Sequence, residues 1–217
     1  MNLLLDLPPT SVRIGGREYE INSDFRASIL FELLMQDDEI DLSTKAEKAI
    51  GIYFPNGYPG RESLQDVFSA ILWFFGCGRT EKERHLRLRR RSSDRDDDSS
   101  SQNRQYSFDY DDEYIYAAFR QQYGINLVEI EYLHWWEFRA LFRALTEDCE
   151  IVKIMGYRTI QISPKMSEEQ KSFYRKMKAE HALPIPEKEL EESEALLAAL
   201  MNGGDVDAIL RKNNDDE

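Results

Sequence analysis

Four acidic side chains stand close together in the middle of the 217-residue chain and invite comparison with a cation site: Asp109, Asp111, Asp112 and Glu113. Ca²⁺ prefers oxygen ligands, but a calcium loop also needs a central glycine and a distal bidentate glutamate, which this spacing lacks. Carboxylates in the first turn of a helix are favoured by the positive end of the helix dipole. We therefore interpret this group as the beginning of a helix and predict no metal site.

Other residue types that support catalysis are few and scattered. His85, His134 and His181 have no second histidine, cysteine or nucleophile at a useful spacing, and His134 is typical of a packing or capping residue. Cys77 and Cys149 are far apart and lack metal-ligand spacing, which favours free thiols in a reducing cytosol. Neither a phosphate-binding glycine loop nor a nucleophile elbow occurs. We expect a protein that is not an enzyme and needs no cofactor.

The charge pattern limits the partners. A formal net charge of -13 argues against general affinity for nucleic acid, because phosphates are repelled on average. The acidic run Asp94–Asp98 follows the basic run Arg84–Arg91 and offsets its positive charge. No aromatic residue lies between the arginines to stack on bases. We interpret residues 79–105 as a disordered charged insert. The second interpretation of its arginines is contact with an acidic protein partner, and contact with nucleic acid ranks last. No run approaches the ~20 apolar residues that span a bilayer, so we expect no membrane contact and a cytoplasmic protein.

The first part of the chain predicts a β-hairpin followed by three helices. Val12–Ile21 turns on Gly15-Gly16, in a register that pairs Val12 with Tyr19 and Arg13 with Glu18. The helices are expected at 24–37, 44–53 and 62–76, and the third ends at Gly76-Cys77-Gly78. Two start signals support them: Ser23 or Asp24 as the first N-cap, and a capping-box pattern over Thr44–Glu47 for the second helix.

Three further helices are expected at 109–123, 130–147 and 167–181, with Ser167–Gln170 capping the last one. Residues 151–162 are compatible with a helix end or with a short extended pair broken at Gly156. In the helix at 130–147, one stripe at helical spacing is expected to face the core. This stripe consists of Leu133, Trp136, Glu137, Ala140, Leu141, Ala144 and Leu145.

Five aromatic residues lie beside the predicted core stripes of their helices: Trp73, Phe74, Trp135, Phe138 and Phe142. One interpretation places them in the core of a helical bundle. The other makes them the partner-binding residues of a groove that accepts an amphipathic helix, because an aromatic side chain at the edge of a core needs a partner to cover it. We carry the second interpretation forward as the predicted site.

The expected fold is mainly α: a helical bundle with a small N-terminal β-hairpin and a disordered charged insert. We divide the chain into residues 1–78 (hairpin and three helices), 79–105 (insert), 106–184 (aromatic-rich helices) and 185–217 (acidic, partly disordered tail). The first and third parts are expected to share one core, because neither has enough apolar surface alone.

Several motifs carry a family resemblance. They are Ile21-Asn-Ser-Asp-Phe-Arg26, Tyr106-Ser-Phe-Asp-Tyr110, Tyr114-Ile-Tyr-Ala-Ala-Phe119, Gln122-Tyr-Gly-Ile125, Leu133-His-Trp-Trp-Glu-Phe-Arg-Ala-Leu-Phe142 and Ile154-Met-Gly-Tyr-Arg158. With them the chain resembles the bacteriophage gene-product-fifteen family of phages and prophages of Gram-positive bacteria, over most of residues 10–184. The Trp-Trp-Glu-Phe core is the most specific part.

This resemblance implies a non-catalytic tail assembly chaperone that binds the tape-measure protein in the host cytoplasm and is missing from the mature virion. It leaves the major tail tube protein and a second copy of the chain open as further partners. The main alternative is a structural subunit of the tail or virion. A nucleic-acid-binding regulator, acting through the arginine-rich insert, ranks last.

Overall fold

The computed structural model describes residues 3–57, 60, 63–79 and 104–184, and the described residues up to Ala182 form one unit. The predicted fold class is confirmed there, because helices dominate and one two-stranded antiparallel hairpin stands at the N-terminal end. The elements are β1 Ser11–Ile14, β2 Arg17–Glu20, α1 Phe25–Gln36, α2 Leu42–Tyr53, α3 Leu64–Phe75, α4 Asp112–Tyr123, α5 Trp135–Arg143, α6 Glu150–Thr159 and α7 Glu168–Glu180.

Two predicted segments lie mostly or wholly outside the described residues. The charged insert at 79–105 retains only Arg79, Arg104 and Gln105 within them, and the acidic tail at 185–217 retains none. The predictions for these segments therefore stay predictions.

The hairpin has the register that the sequence predicts. Val12 pairs with Tyr19 and Arg13 with Glu18. Gly15 and Gly16 turn the chain with φ angles of 54° and 83°, a region that glycine enters without steric cost. Val12 and Ile14 are buried, so the apolar face of β1 packs inward and contacts α3.

The first two helices begin at aspartates. Asp24 accepts a hydrogen bond from the Arg26 N–H, as one of the two predicted caps. The capping box predicted over Thr44–Glu47 is wrong: α2 begins earlier, because Asp41 accepts from the N–H groups of Ser43 and Thr44. Asp, Ser, Thr and Asn all serve as N-caps, and several of them lie close together here. Residue type therefore did not show which one begins the helix.

Helix α5 is shorter than the predicted helix at 130–147. Residues Leu133 and His134 are extended and lie alongside Ser23 and Asp24, where Phe25 N–H donates to Leu133 O and Trp135 N–H donates to Ser23 O. Backbone groups that are used in this bridge cannot also form helical hydrogen bonds, so the helix begins at Trp135. The ambiguous stretch at 151–162 is helical as far as Thr159 and belongs to α6. The predicted cap of α7 by Ser167 and Gln170 is present.

Residues from both sides of the insert build a single hydrophobic core. At its centre the ring of Phe138 (α5) stacks on Phe25 (α1) and on Phe119 (α4), with ring centroids 4.9 Å apart in both pairs. The two halves therefore stabilise each other.

None of the helices among the described residues has both the length and the hydrophobicity that a membrane span requires.

The acidic group at 109–113 divides into two roles. Asp112 and Glu113 occupy the first turn of α4, as expected from the helix dipole. Asp111 instead is buried and pairs with Arg158, whose two terminal nitrogens lie 2.6 Å and 2.9 Å from its carboxylate oxygens. No cluster of three or more metal-ligating side chains exists among the residues described.

Candidate partner-binding surface

The structure separates the five aromatic residues of the predicted site. The side chains of Phe74, Trp135, Phe138 and Phe142 are buried, at 8% exposure or less, whereas Trp73 is 37% exposed. The idea that all five lie at the edge of the core is therefore wrong for four of them. Only Trp73 remains available to a partner in this conformation.

For Trp135, Phe138 and Phe142, the error comes from the phase of α5. Its inward face carries Trp135, Phe138 and Phe142, whereas Ala140 is exposed and Leu141 half-buried. Trp136 is buried as predicted, but it contacts the C-terminal end of α3, where its indole N–H donates to Phe74 O at 2.8 Å. Aromatic residues occur on both sides of this helix, so periodicity by itself did not identify the face that α1 and α4 cover.

Trp73 is held at the surface by its neighbours. Its ring meets Trp136 edge-on, with centroids 5.6 Å apart. Gly78 closes over the pair with φ +70°, and a Cβ there would lie 2.8 Å from Trp136 Cη2. The left-handed conformation and the close approach both require glycine, so the turn after α3 fixes the tryptophan pair.

A groove of about 440 Å³ runs between strand β1 and helix α3, with Trp73 on its wall. Its lining is formed by Val12, Arg13, Ile14, Gly15, Asp66, Ser69, Ala70 and Trp73. The two charged residues, Arg13 and Asp66, have opposite signs. A groove of this size accepts a few apolar side chains of a partner and offers one hydrogen-bonding group of each charge beside them.

Helix α3 exposes a second apolar flank on the other side of its buried face. Leu64 and Leu72 are 58% and 42% exposed, and Phe68 lies between them at the same i, i+4 spacing. Asp66 is the only charged residue in α3. Within a chain in which 32% of residues are charged, this helix is an apolar and largely uncharged surface element.

His134 links the N-terminal segment to this region. Its Nδ1 accepts from the Trp136 N–H at 3.0 Å, and its Nε2 lies 3.0 Å from Pro9 O, so the neutral ring carries its proton on Nε2. Burial lowers the pKa of His134, against smaller opposing effects of the Pro9 carbonyl and Glu137. His134 therefore caps α5, which is one of the two roles predicted for it, and this hydrogen bond holds Trp136 beneath Trp73.

One surface feature was missed by sequence reasoning. Leu4, Leu5 and Leu7 are between 82% and 91% exposed, just before the Pro8-Pro9 pair. The signal in the sequence was the density of leucines in a segment too short for a helix.

Residues 4–183 match the family described as Bacteriophage Gp15 protein. No curated protein and no solved structure shows significant similarity to the chain. Because the match spans nearly all the described residues, including β1, α3 and the Trp135-Trp136 pair, the chain belongs to the Bacteriophage Gp15 family.

Proposed function

We propose that this protein is a non-catalytic tail assembly chaperone, which binds the tape-measure protein in the host cytoplasm before the tail tube forms. The observation that carries the proposal is the groove between β1 and α3, with Trp73 half-exposed at its wall, in a member of a phage protein family. Binding rather than catalysis is the activity that suits an apolar groove with one charge of each sign.

The partner's mode of binding follows from the groove's chemistry. An amphipathic helix presents apolar side chains at i, i+3, i+4 and i+7, and such side chains fill a groove lined by Val12, Ile14 and Ala70. A tryptophan at the wall adds a large apolar area with few rotatable bonds, which is typical of residues that dominate binding energy. The exposed flank of Leu64 and Leu72 lies on the other side of α3 and does not line this groove.

The acidic surface supports the same role. A net charge of -13 keeps a complex in solution while its apolar helices are covered. The tape-measure protein is therefore the first partner that we propose, with the tail tube protein as a second.

Two substitutions test the groove. Trp73→Ala removes the exposed aromatic, and Ser69→Arg places a long charged side chain in the groove without removing any buried one. Each variant is co-expressed with the tape-measure protein, and soluble tape-measure protein is measured after co-purification. We expect at least about a tenfold loss of binding for each, as for a residue that dominates an interface.

Matched controls change similar residues elsewhere. Tyr110→Ala removes an aromatic that is 58% exposed and does not line the groove, and Ser172→Arg adds a charge on the exposed side of α7. Both should bind like the parent. Folded groove variants that solubilise the tape-measure protein as well as the parent would refute the groove as its binding site.

Mass spectrometry of purified phage particles tests the alternative of a structural subunit. A chaperone is absent from mature particles, whereas a tail subunit is present in a fixed ratio to the tail tube protein. Detection at such a ratio would refute the chaperone proposal.

A further inference from the structure

Four arginines surround the place where the chain leaves α3 and returns towards α4. Arg79 follows the turn after α3, and Arg104 begins the returning segment. Arg139 and Arg143 stand four residues apart on α5, so they share one face of that helix. No ion pair joins any of the four to a carboxylate within the described ranges.

Two of these arginines are fixed in place by contacts. Arg139 lies over the rings of Trp135 and Phe75, 5.3 Å and 5.7 Å from their centroids, and donates to Phe75 O at 3.0 Å. Arg104 donates to Gln36 Oε1 at 3.2 Å. These contacts orient guanidinium groups without neutralising their charge.

The charges act on one another across a patch in which Arg143 is exposed and the other three arginines are half-buried. The pKa of Arg143 is lowered by burial and by the like charges of Arg139 and Arg79. Burial raises the pKa of Tyr106 to about 12; the charge of Glu32 acts in the same direction, and the charges of Arg139 and Arg143 oppose both. Arg79, Arg139 and Arg143 thus place three like charges within reach of one another, although the whole chain carries a net charge of -13.

We propose that Arg79, Arg104, Arg139 and Arg143 form a docking site for an acidic segment of a partner protein. Like charges that converge at a partly desolvated patch cost free energy, and carboxylates from a partner remove that cost while they accept bidentate hydrogen bonds. Charge complementarity therefore identifies the occupant. This site is separate from the groove between β1 and α3.

The surroundings favour a peptide over other anions. Carbonyl oxygens at the C-terminal ends of α3 and α5, such as Phe75 O, repel a compact phosphate dianion more than single carboxylates that are spread along a peptide. The ring faces of Trp135 and Phe75 are already covered by Arg139, so bases of a nucleic acid find no free stacking surface there. Carboxylates on a flexible peptide reach several separated guanidinium groups at once.

A labelled hexaglutamate peptide tests the proposal, by fluorescence anisotropy with the full chain at low ionic strength. Replacing Arg79 and Arg143 together with Gln should weaken binding by about tenfold, because two charge-assisted contacts are lost. The control variant, Arg120→Gln with Arg175→Gln, removes the same charge from exposed positions on α4 and α7 and should bind like the parent.

Three outcomes would overturn the proposal. The first is that the peptide does not bind, and the second is that both double variants weaken it equally, so that only net charge matters. The third is that inorganic phosphate or a single-stranded oligonucleotide binds through Arg79 and Arg143 while the peptide does not. Circular dichroism of both variants establishes that each is folded.

Discussion

Replacing Arg158 should destabilise the protein more than any other single change of a charged residue described above. Arg158 on α6 forms two hydrogen bonds with the Asp111 carboxylate and also donates to Gln105 O at 3.1 Å and His181 O at 2.6 Å. The exposed fractions of the Arg158 and Asp111 side chains are 9% and 2%. One side chain thus joins the segment before α4, helix α6 and the end of α7.

The cost follows from what Arg158→Met leaves behind. The carboxylate of Asp111 stays buried and keeps one hydrogen bond, from the Ser107 N–H at 2.8 Å. Breaking a buried ion pair by removing one partner costs about 3–5 kcal/mol, because the remaining charge is neither solvated nor paired. In a domain of this size that corresponds to a fall in Tm of roughly 6–20 °C. Helix α7 has no buried residue, so its protection should fall further when the His181 contact is lost.

Urea unfolding, followed by tryptophan fluorescence, measures the loss, and hydrogen exchange reports on α7. The double variant Asp111→Met with Arg158→Met should regain part of the stability, because it removes the stranded charge. Lys153→Met breaks an exposed pair with Glu150 and should cause no measurable change. An Arg158→Met variant within about 1 kcal/mol of the parent would contradict the inference that the pair is structurally buried.

Three further predictions concern the region beneath Trp73. Trp136→Ala should lower the free energy of unfolding by about 3–5 kcal/mol, because the indole is buried; an unchanged urea midpoint would refute its place in the core. Gly78→Ala should lower the free energy of unfolding by about 1–2 kcal/mol or more, because Gly78 has a positive φ. The control Gly156→Ala, in a helix with open space around the glycine, should be neutral or stabilising. Equal urea midpoints for the two variants would show that Gly78 is not constrained. The lowered pKa of His134 means that the unfolded chain binds the proton more readily, so stability is full above pH about 6.5 and falls as the pH drops below it. His134→Asn retains a capping side chain but does not titrate, so urea unfolding at pH 7.5 and 5.0 should differ less for this variant than for the parent.

The elements that the sequence predicted well depend on contacts between close neighbours. The hairpin register follows from two glycines and the alternation of Val12–Ile14, and the α7 cap from Ser167 and Gln170. In each case the stabilising hydrogen bonds join residues a few positions apart, so their residue types and spacing carry the information.

The limits and inward face of α5 were decided by residues far away in the chain. Leu133 and His134 are extended because their backbone pairs with the segment at Ser23 and Asp24, which lies about 110 positions earlier in the chain. Three of the aromatics proposed for the partner surface, Trp135, Phe138 and Phe142, belong to the core for the same reason: Phe25 and Phe119 cover the side of α5 that local periodicity did not select. Phe74, on α3, is instead buried against Tyr53 and Trp136.

Composition and periodicity were enough to predict a helical, acidic chain with surplus aromatics, and the motifs were enough to identify its family. Packing between distant parts of the chain selected the aromatic that stays at the surface. Trp73 remains exposed because Trp136 takes the buried place at the end of α3, where its N–H meets Phe74 O. The pairing of Asp111 with Arg158 likewise spans 47 positions. Over such a separation, composition and residue spacing do not predict which side chains will pair. Buried polar groups must find partners wherever the fold brings them, and only the packed chain shows which partner is near.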